Sequence, residues 1–359
     1  MTAPRRAATI ALLSYLGFAA PTVTRAQEHV SINGSLLFYG DNTEFSTFRD
    51  GDTLFGTAIR LYGAADLTDH VTVRLGAAGN YRFGGDEAFE IVRPLVALVV
   101  SGARSRVVFG SLETTDVRVP RGPDRGGPHG LLPPLQRETL SFERPFEAGL
   151  QWTFTGSRLR HETWINWQQV NTPAHRERFD VGLAAEWNVT PLVGLALQGH
   201  VVHHGGQLFA TGPVADSYAV APGIVVRGAP GRLKQLSIEL LGLASRYVPD
   251  RADAARSRSG AGVFARAEAS TEAWRGHLIV WRGNDCLKEE GDANYLSVRT
   301  DGSRYRDVRD YSEVGLARFV RPAPGVTIEI SARFYRIEPH NYEYSYRVLA
   351  LTNLRWLIR

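Results

Sequence analysis

From His29 to the last residue, apolar and polar side chains alternate over segments too long for ordinary globular strands. After Asp69 the odd positions are Val71, Val73, Leu75, Ala77, Gly79, Tyr81 and Phe83. The even positions are Thr72, Arg74, Gly76, Ala78, Asn80 and Arg82. A strand sends successive side chains to opposite faces, so one face here is apolar and the other carries two guanidiniums. The stretches Phe179 to Val189 and Val326 to Tyr335 repeat the pattern. Runs of this length exceed the roughly five or six residues of a typical globular strand. They match the roughly 9–11 that a tilted strand needs to cross a bilayer.

Sixteen such segments can be read between residues 29 and 358. Links after even-numbered segments are short and rich in turn formers, as in Gly156-Ser157, Thr190-Pro191-Leu192, Gly228-Ala229-Pro230-Gly231 and Pro322-Ala323-Pro324-Gly325. Links after odd-numbered segments are mostly longer, and the longest is 114–145. Short turns at one end and long loops at the other are the signature of a barrel with a periplasmic and an extracellular side. Twelve aromatic residues fall near segment ends and are expected in interfacial girdles: Tyr39, Tyr62, Phe83, Trp152, Phe154, Trp164, Trp167, Trp187, Trp274, Tyr344, Tyr346 and Trp356.

The N-terminus supports export. Arg5 and Arg6 precede an apolar stretch, Ala7 to Ala20, that is too short for a spanning helix, which needs about 20 residues. Pro21 ends it, and Thr24-Arg25-Ala26 puts small residues at the −3 and −1 positions of a cleavage site. Residues 1–26 are therefore expected to be a signal peptide and 27–359 the mature barrel, with 114–145 as a long loop folded into the pore. The mature chain loses three of its 41 basic residues and none of its 37 acidic ones, leaving near neutrality and no nucleic-acid partner. The longest later apolar run, Leu95 to Val100, is far too short for a helical span. Cys286 is the only cysteine, so no intrachain disulfide is expected.

With signal peptide, long alternating strands, segregated loops and girdle aromatics in hand, the chain resembles the porin-like class of bacterial outer-membrane β-barrels across residues 29–359. The resemblance is one of architecture and carries over no functional residue. It implies an all-β fold, a closed antiparallel transmembrane barrel of about 16 strands in the bacterial outer membrane. One departure is the C-terminus, Trp356-Leu357-Ile358-Arg359, where such barrels commonly finish on an aromatic residue. The expected partners are outer-membrane lipid and lipopolysaccharide, the barrel assembly machinery and small hydrophilic solutes, with a homotrimer as the assembly considered.

Charge on the lipid face is costly, so the charged phase should line the lumen. That phase places Arg60, Arg74, Arg82, Arg93, Arg160, Arg178, Arg333, Arg347, Glu186 and Glu329 inside as pore-lining residues. The phase is ambiguous in segments 90–100, 233–248 and 309–321. A mixed lumen reads either as a salt-bridged wall or as a charged constriction with mild anion preference. Trp164, Asn166 and Gln168 form a group suited to ligand contact by stacking and amide hydrogen bonds. His200 and His204 share the lumen phase while His203 points the other way, and two histidines without a placed carboxylate make no zinc site. Without a recognisable nucleophile motif, the chain is expected to have no catalytic residues, to be no enzyme, and to need neither metal nor cofactor. The expected function is passive diffusion of small hydrophilic solutes. The alternatives are export of an anionic polysaccharide and a sealed-lumen barrel for surface binding or structure.

Overall fold

The computed structural model of the chain describes residues 30–43, 52–87, 89–114, 128–206, 208–209, 211–297 and 306–358. The signal-peptide expectation for residues 1–26, the first mature residues and the 115–127 part of the long loop lie outside the described residues. Sixteen strands follow the alternation. The first eight are β1 (Val30–Thr43), β2 (Asp52–Thr68), β3 (Val71–Arg82), β4 (Ile91–Ser101), β5 (Ser105–Ser111), β6 (Ala148–Thr155), β7 (Leu159–Gln169) and β8 (Glu177–Asn188). The others are β9 (Val193–Gly205), β10 (Ala215–Gly228), β11 (Gln235–Val248), β12 (Arg258–Ser270), β13 (Trp274–Asn284), β14 (Val308–Ala323), β15 (Val326–Glu338) and β16 (Asn341–Ile358).

Each strand pairs antiparallel with its neighbours in sequence, and β1 pairs with β16 from Val30↔Ile358 to Thr43↔Ser345, which closes the barrel. Closure leaves no sheet edge, the condition for crossing hydrocarbon with strands. Among the described residues no helix is long and apolar enough to cross a membrane. The short connections bear out their turn chemistry. Gly325, for example, takes φ 76° in the β14–β15 link, a conformation that a side chain would resist.

Parity decides which side of the wall a residue occupies. On β11, Leu240 is 53% exposed toward lipid while Leu241 is 1% exposed in the interior. Three of the aromatics expected in the girdles face the lumen instead. Tyr39 donates to Asn80 Oδ1 at 2.9 Å and stacks on Phe142 at 5.0 Å. Tyr62 lies under the Arg74 guanidinium at 5.5 Å, and Trp164 is buried inside. Trp164 stands at the middle of its strand rather than at an end, and parity puts all three in phase with polar lumen residues such as Asp41, Arg60 and Asn166.

The interior also departs from a uniformly polar lumen. Inward positions of β11 to β15 include Leu241, Leu243, Phe264, Trp281, Tyr311, Tyr335 and Ile337, which cluster with Leu131, Leu132 and Leu135 from the long loop and Tyr295 from the β13–β14 connection. Apolar residues are tolerated on the inner face because these two segments cover them. The 128–145 segment includes one short helix, α1 (Leu140–Glu143), and is anchored by polar contacts. Leu132 N donates to Gln198 Oε1 at 2.7 Å, and Asn80 Nδ2 donates to the Phe142 carbonyl at 3.2 Å. The β13–β14 segment joins it through Arg137 N donating to the Glu290 carbonyl at 2.7 Å.

His129 pins the long loop to the wall. Its Nδ1 meets Glu162 Oε1 at 2.6 Å, its Nε2 meets Glu147 Oε2 at 2.7 Å, and its ring stacks on Trp164 at 3.7 Å. Burial by itself would lower the imidazole's proton affinity, but the two carboxylates outweigh it and push the pKa up to about 10. A pKa above the ordinary 6.5 makes the stabilisation complete below that pH and lost as pH rises through about 10.

Two outcomes are expected of the folded protein. Leu240→Arg should cost about 2–4 kcal/mol, the depth-dependent price of a guanidinium on the lipid face, in reversible unfolding from vesicles. A loss under about 0.5 kcal/mol would contradict the lipid-facing assignment of Leu240. For His129→Gln, the gap from the parent's denaturation midpoint should be widest below pH 6.5 and shrink toward pH 10. A gap that stays constant across that range would show that the pair of carboxylates does not hold a charged imidazole.

Candidate functional site

The residues singled out as lumen contacts come from three adjacent strands and meet in one buried cluster. Trp164, Asn166 and Gln168 lie on β7, Arg178 on β8, and His200 and His204 on β9. The residue that gathers them is Asp180 of β8. Trp164 Nε1 donates to its Oδ2 at 3.0 Å, while Asn166 Nδ2 and Gln168 Nε2 donate to its Oδ1 at 2.8 and 2.7 Å. Trp164 fits because Gly182 lies beneath it, where a Cβ would stand 1.9 Å from the indole.

From the other side the β13–β14 connection inserts Lys288, Glu289 and Glu290. Glu290 Oε1 accepts from Arg144 at 2.5 Å, Arg178 at 2.8 Å and Gln168 at 3.0 Å. His204 Nε2 meets Glu289 Oε1 at 2.6 Å. Burial pulls the Lys288 ammonium down to about 8 against the attraction of Glu290 and Glu289. Burial alone would raise Glu290, but Arg144 and its other cationic neighbours outweigh it and hold the carboxyl well below its usual range.

The other expected lumen residues do not join this cluster. They form separate ion pairs along the wall. Arg347 Nε meets Asp41 Oδ2 at 2.5 Å, and Glu138 bridges Arg333 and Arg347 at 3.1 Å each. Arg74 pairs with Glu113 at 2.5 Å, Arg82 with Glu90 at 3.2 Å, and Arg275 with Glu329 at 3.5 Å. Arg60 donates to the Pro145 carbonyl at 2.6 Å. Arg93 is exposed, with the parity of the buried Leu95, Ala97 and Val99. At the short-turn end, Arg160, Arg227 and Glu186 line an open space of about 340 Å³.

A second constellation lies on the outer, lipid-facing side near the long-loop end. Cross-strand register aligns Trp167 with Phe179, Phe179 with His203, and His203 with Asp216. His203 Nδ1 lies 2.7 Å from Asp216 Oδ1, and Phe179 packs on the imidazole at 4.8 Å. Asp216 also accepts from Arg251, at 2.5 Å on Oδ2 and 2.9 Å on Oδ1. A carboxylate can only accept, so Nδ1 donates to it, and in the neutral imidazole Nε2 then carries the lone pair. That nitrogen lies over Gly205, where a Cβ would stand 2.2 Å from it.

Two residues toward the membrane, the outward positions Thr163, Val181, Leu183, Gly199, Val201, Val220 and Ala244 line a groove of about 490 Å³ with Tyr218 and Arg246. Gly199 and Ala244 make the depression simply by lacking bulk. This outer constellation was missed because its members lie on different strands and in no short motif. The available signal was polarity out of phase: His203 and Asp216 occupy positions whose strand neighbours on that face are apolar.

A family model described as Lipid A 3'-O-deacylase-type matches residues 22–359. A search of curated proteins finds no match. Among solved structures, the barrel is similar to the outer membrane protein OpdK from Pseudomonas aeruginosa, with TM-score 0.53, 12% identity, and coverage of 91% of this chain and 99% of that one. OccAB1 from Acinetobacter baumannii gives 0.52, 9%, 91% and 96%. The loop L8 deletion mutant of OmpT from Vibrio cholerae gives 0.55, 9%, 92% and 99%. At these identities the likeness shows the fold, a porin-type barrel of the outer membrane. The family match overturns the expectation that the chain is not an enzyme, because the matching family is one of deacylases. This outer-membrane barrel belongs to the Lipid A 3'-O-deacylase-type family.

Proposed function

We propose that the protein hydrolyses an acyl ester of lipid A in the outer leaflet, using His203 and Asp216 on the outer wall of the barrel. The observation that carries the reading is this hydrogen-bonded dyad, set at the lipid-facing rim directly above an apolar groove. An acyl chain in the groove would bring its ester to the height of the imidazole. His203 Nε2 takes a proton from water, and the water oxygen attacks the ester carbonyl. The carbonyl carbon then loses the sugar oxygen, which recovers the proton. The products are a free fatty acid and a hydroxyl on the glycolipid. Asp216 holds the reactive tautomer and stabilises the imidazolium while the proton is in transit. Arg246 and Arg251 supply positive charge where lipid A carries anionic groups.

A channel is the second reading, supported by the porin-type fold and by the charged space around Arg160, Glu186 and Arg227. In this reading small solutes pass with a mild anion preference. The paired lumen arginines and the inserted segments instead favour a sealed or narrow passage. A homotrimer is part of the channel proposal, and a trimer form is known for OmpT from Vibrio cholerae.

Mass spectrometry of lipopolysaccharide incubated with the refolded mature chain tests the first reading. The parent should remove one acyl group, and His203→Asn and Asp216→Asn should each slow release by about 10²–10⁴-fold, the usual worth of general-base catalysis. Full activity in His203→Asn would sink the assignment of the dyad. Planar-bilayer recording addresses the second reading separately. Steps in groups of three with anion-biased reversal potentials are expected of an open trimer, and a silent bilayer would refute the channel.

A further inference from the structure

The buried polar cluster around Asp180 leaves one carboxylate oxygen of Glu290 without a hydrogen bond. His200 Nε2, Asp180 Oδ2 and Glu290 Oε2 converge, with His200 Nε2 3.4 Å from Asp180 and 3.9 Å from Glu290. All three atoms lie within 4.8 Å of one another, and all three residues are buried. These separations are long for a buried N–H···O bond, whose usual length is about 2.9–3.0 Å. Glu290 Oε2 has no hydrogen-bond partner although its side chain is only 2% exposed. Leaving a buried carboxylate oxygen unsatisfied is costly, so something in the site's working state should meet it.

The opposite oxygens are fully committed. Asp180 Oδ1 is held by Asn166 and Gln168, and Glu290 Oε1 by Arg144, Arg178 and Gln168. Glu290 is thus clamped by donors on one oxygen and turned so that the other faces the imidazole, while Asp180 is held on both, its imidazole-facing Oδ2 also accepting from Trp164 Nε1 at 3.0 Å. This is how outer contacts orient metal ligands. Zinc bonds of about 2.0–2.2 Å to nitrogen and oxygen place tetrahedral ligand atoms about 3.3–3.6 Å apart, which matches the 3.4 Å between His200 and Asp180 and asks Glu290, now 3.9 Å from His200, to move inward by a few tenths of an ångström.

We propose that Asp180, His200 and Glu290 bind a divalent transition metal of zinc type, which ties the β13–β14 segment to strands β8 and β9 inside the barrel. The site is on the lumen side of the wall from the His203–Asp216 dyad and is independent of it. Its ligands come from two strands and a loop, so the bound ion would cross-link the inserted segment to the barrel wall.

The test uses the refolded mature chain in detergent, stripped with chelator, passed through a desalting column and offered Zn²⁺ or Co²⁺. Elemental analysis after a second desalting should find one zinc per chain, and Co²⁺ should give the visible d–d absorption of a tetrahedral site. His200→Asn and Glu290→Gln should each lower metal affinity at least tenfold, with heat-modifiable gel mobility confirming that the barrel has folded. If His200→Asn does not fold, Asp180→Asn replaces it as the second variant. Zinc at the level of the detergent blank, or an unaltered cobalt spectrum in folded Glu290→Gln, would overturn the proposal.

Discussion

A hydrocarbon layer contains no water to satisfy a peptide group, and the rest of this structure depends on that constraint. Every strand must give its N–H and C=O groups to a neighbour, and the last neighbour of β16 is β1. Once the sheet is closed, parity acquires physical meaning. Outward residues meet lipid and are selected for apolarity, whereas inward residues are released from that demand. The interior of this barrel uses the freedom in two ways. Part of it is an apolar core built around Leu131, Leu132 and Tyr295, and part is a set of ion pairs that includes Asp41, Glu138, Arg333 and Arg347. The inserted segments shield these charges from water, so their partners matter more than surface pairs would. Removing one member of a buried pair commonly costs about 3–5 kcal/mol.

The strand pattern made the barrel legible because a period of two over a dozen residues has few other solutions. Loop segregation supplied the end-to-end polarity of the barrel, and strand phase assigned most inward arginines. Sequence reading failed wherever two distant segments had to meet. Glu290 and His129 sit in connections with no periodicity, and nothing local to them indicates that Arg144, Arg178, Glu147 or Glu162 will surround them. His200 was legible as a lumen residue. The carboxylates that its environment was thought to lack arrive from β8 on the same wall and from the β13–β14 connection. The proposed dyad was hidden for a related reason. His203 and Asp216 are 13 positions apart and become partners only through the β9–β10 register.

Strands β8 to β10 carry different chemistry on their two sides. Phe179 and Val181 face outward around the inward Asp180, His203 faces outward three residues beyond the inward His200, and outward Asp216 precedes inward Ser217. A wall one residue thick therefore separates a lipid-facing dyad from a buried polar cluster. Neighbouring positions in the chain can be exchanged with little direct contact between the two, because each side chain sees only residues of its own parity. The outer surface near the rim meets lipid, while the inner surface carries the hydrogen-bonded polar cluster.

The trio of Asp41, Glu138 and Arg347 has a bearing on how the chain reaches its native state. Arg347 is 306 residues from Asp41 and 209 from Glu138, yet all three are buried together. Asp41 comes from the first strand, Arg347 from the last, and Glu138 from the segment inserted between them in the lumen. If the first and last strands zipped together around a water-filled interior, Arg347 and Arg333 would lose Glu138 and keep Asp41 and other wall residues such as Ser345 and Glu313. The long loop therefore adds the Glu138 contacts that the two guanidiniums make in the closed barrel. The seam itself cannot be completed until the final strand has left the ribosome and reached the membrane. Loop and seam are thus thermodynamically coupled: the charged plug and the strand seam each strengthen the other through the residues they share.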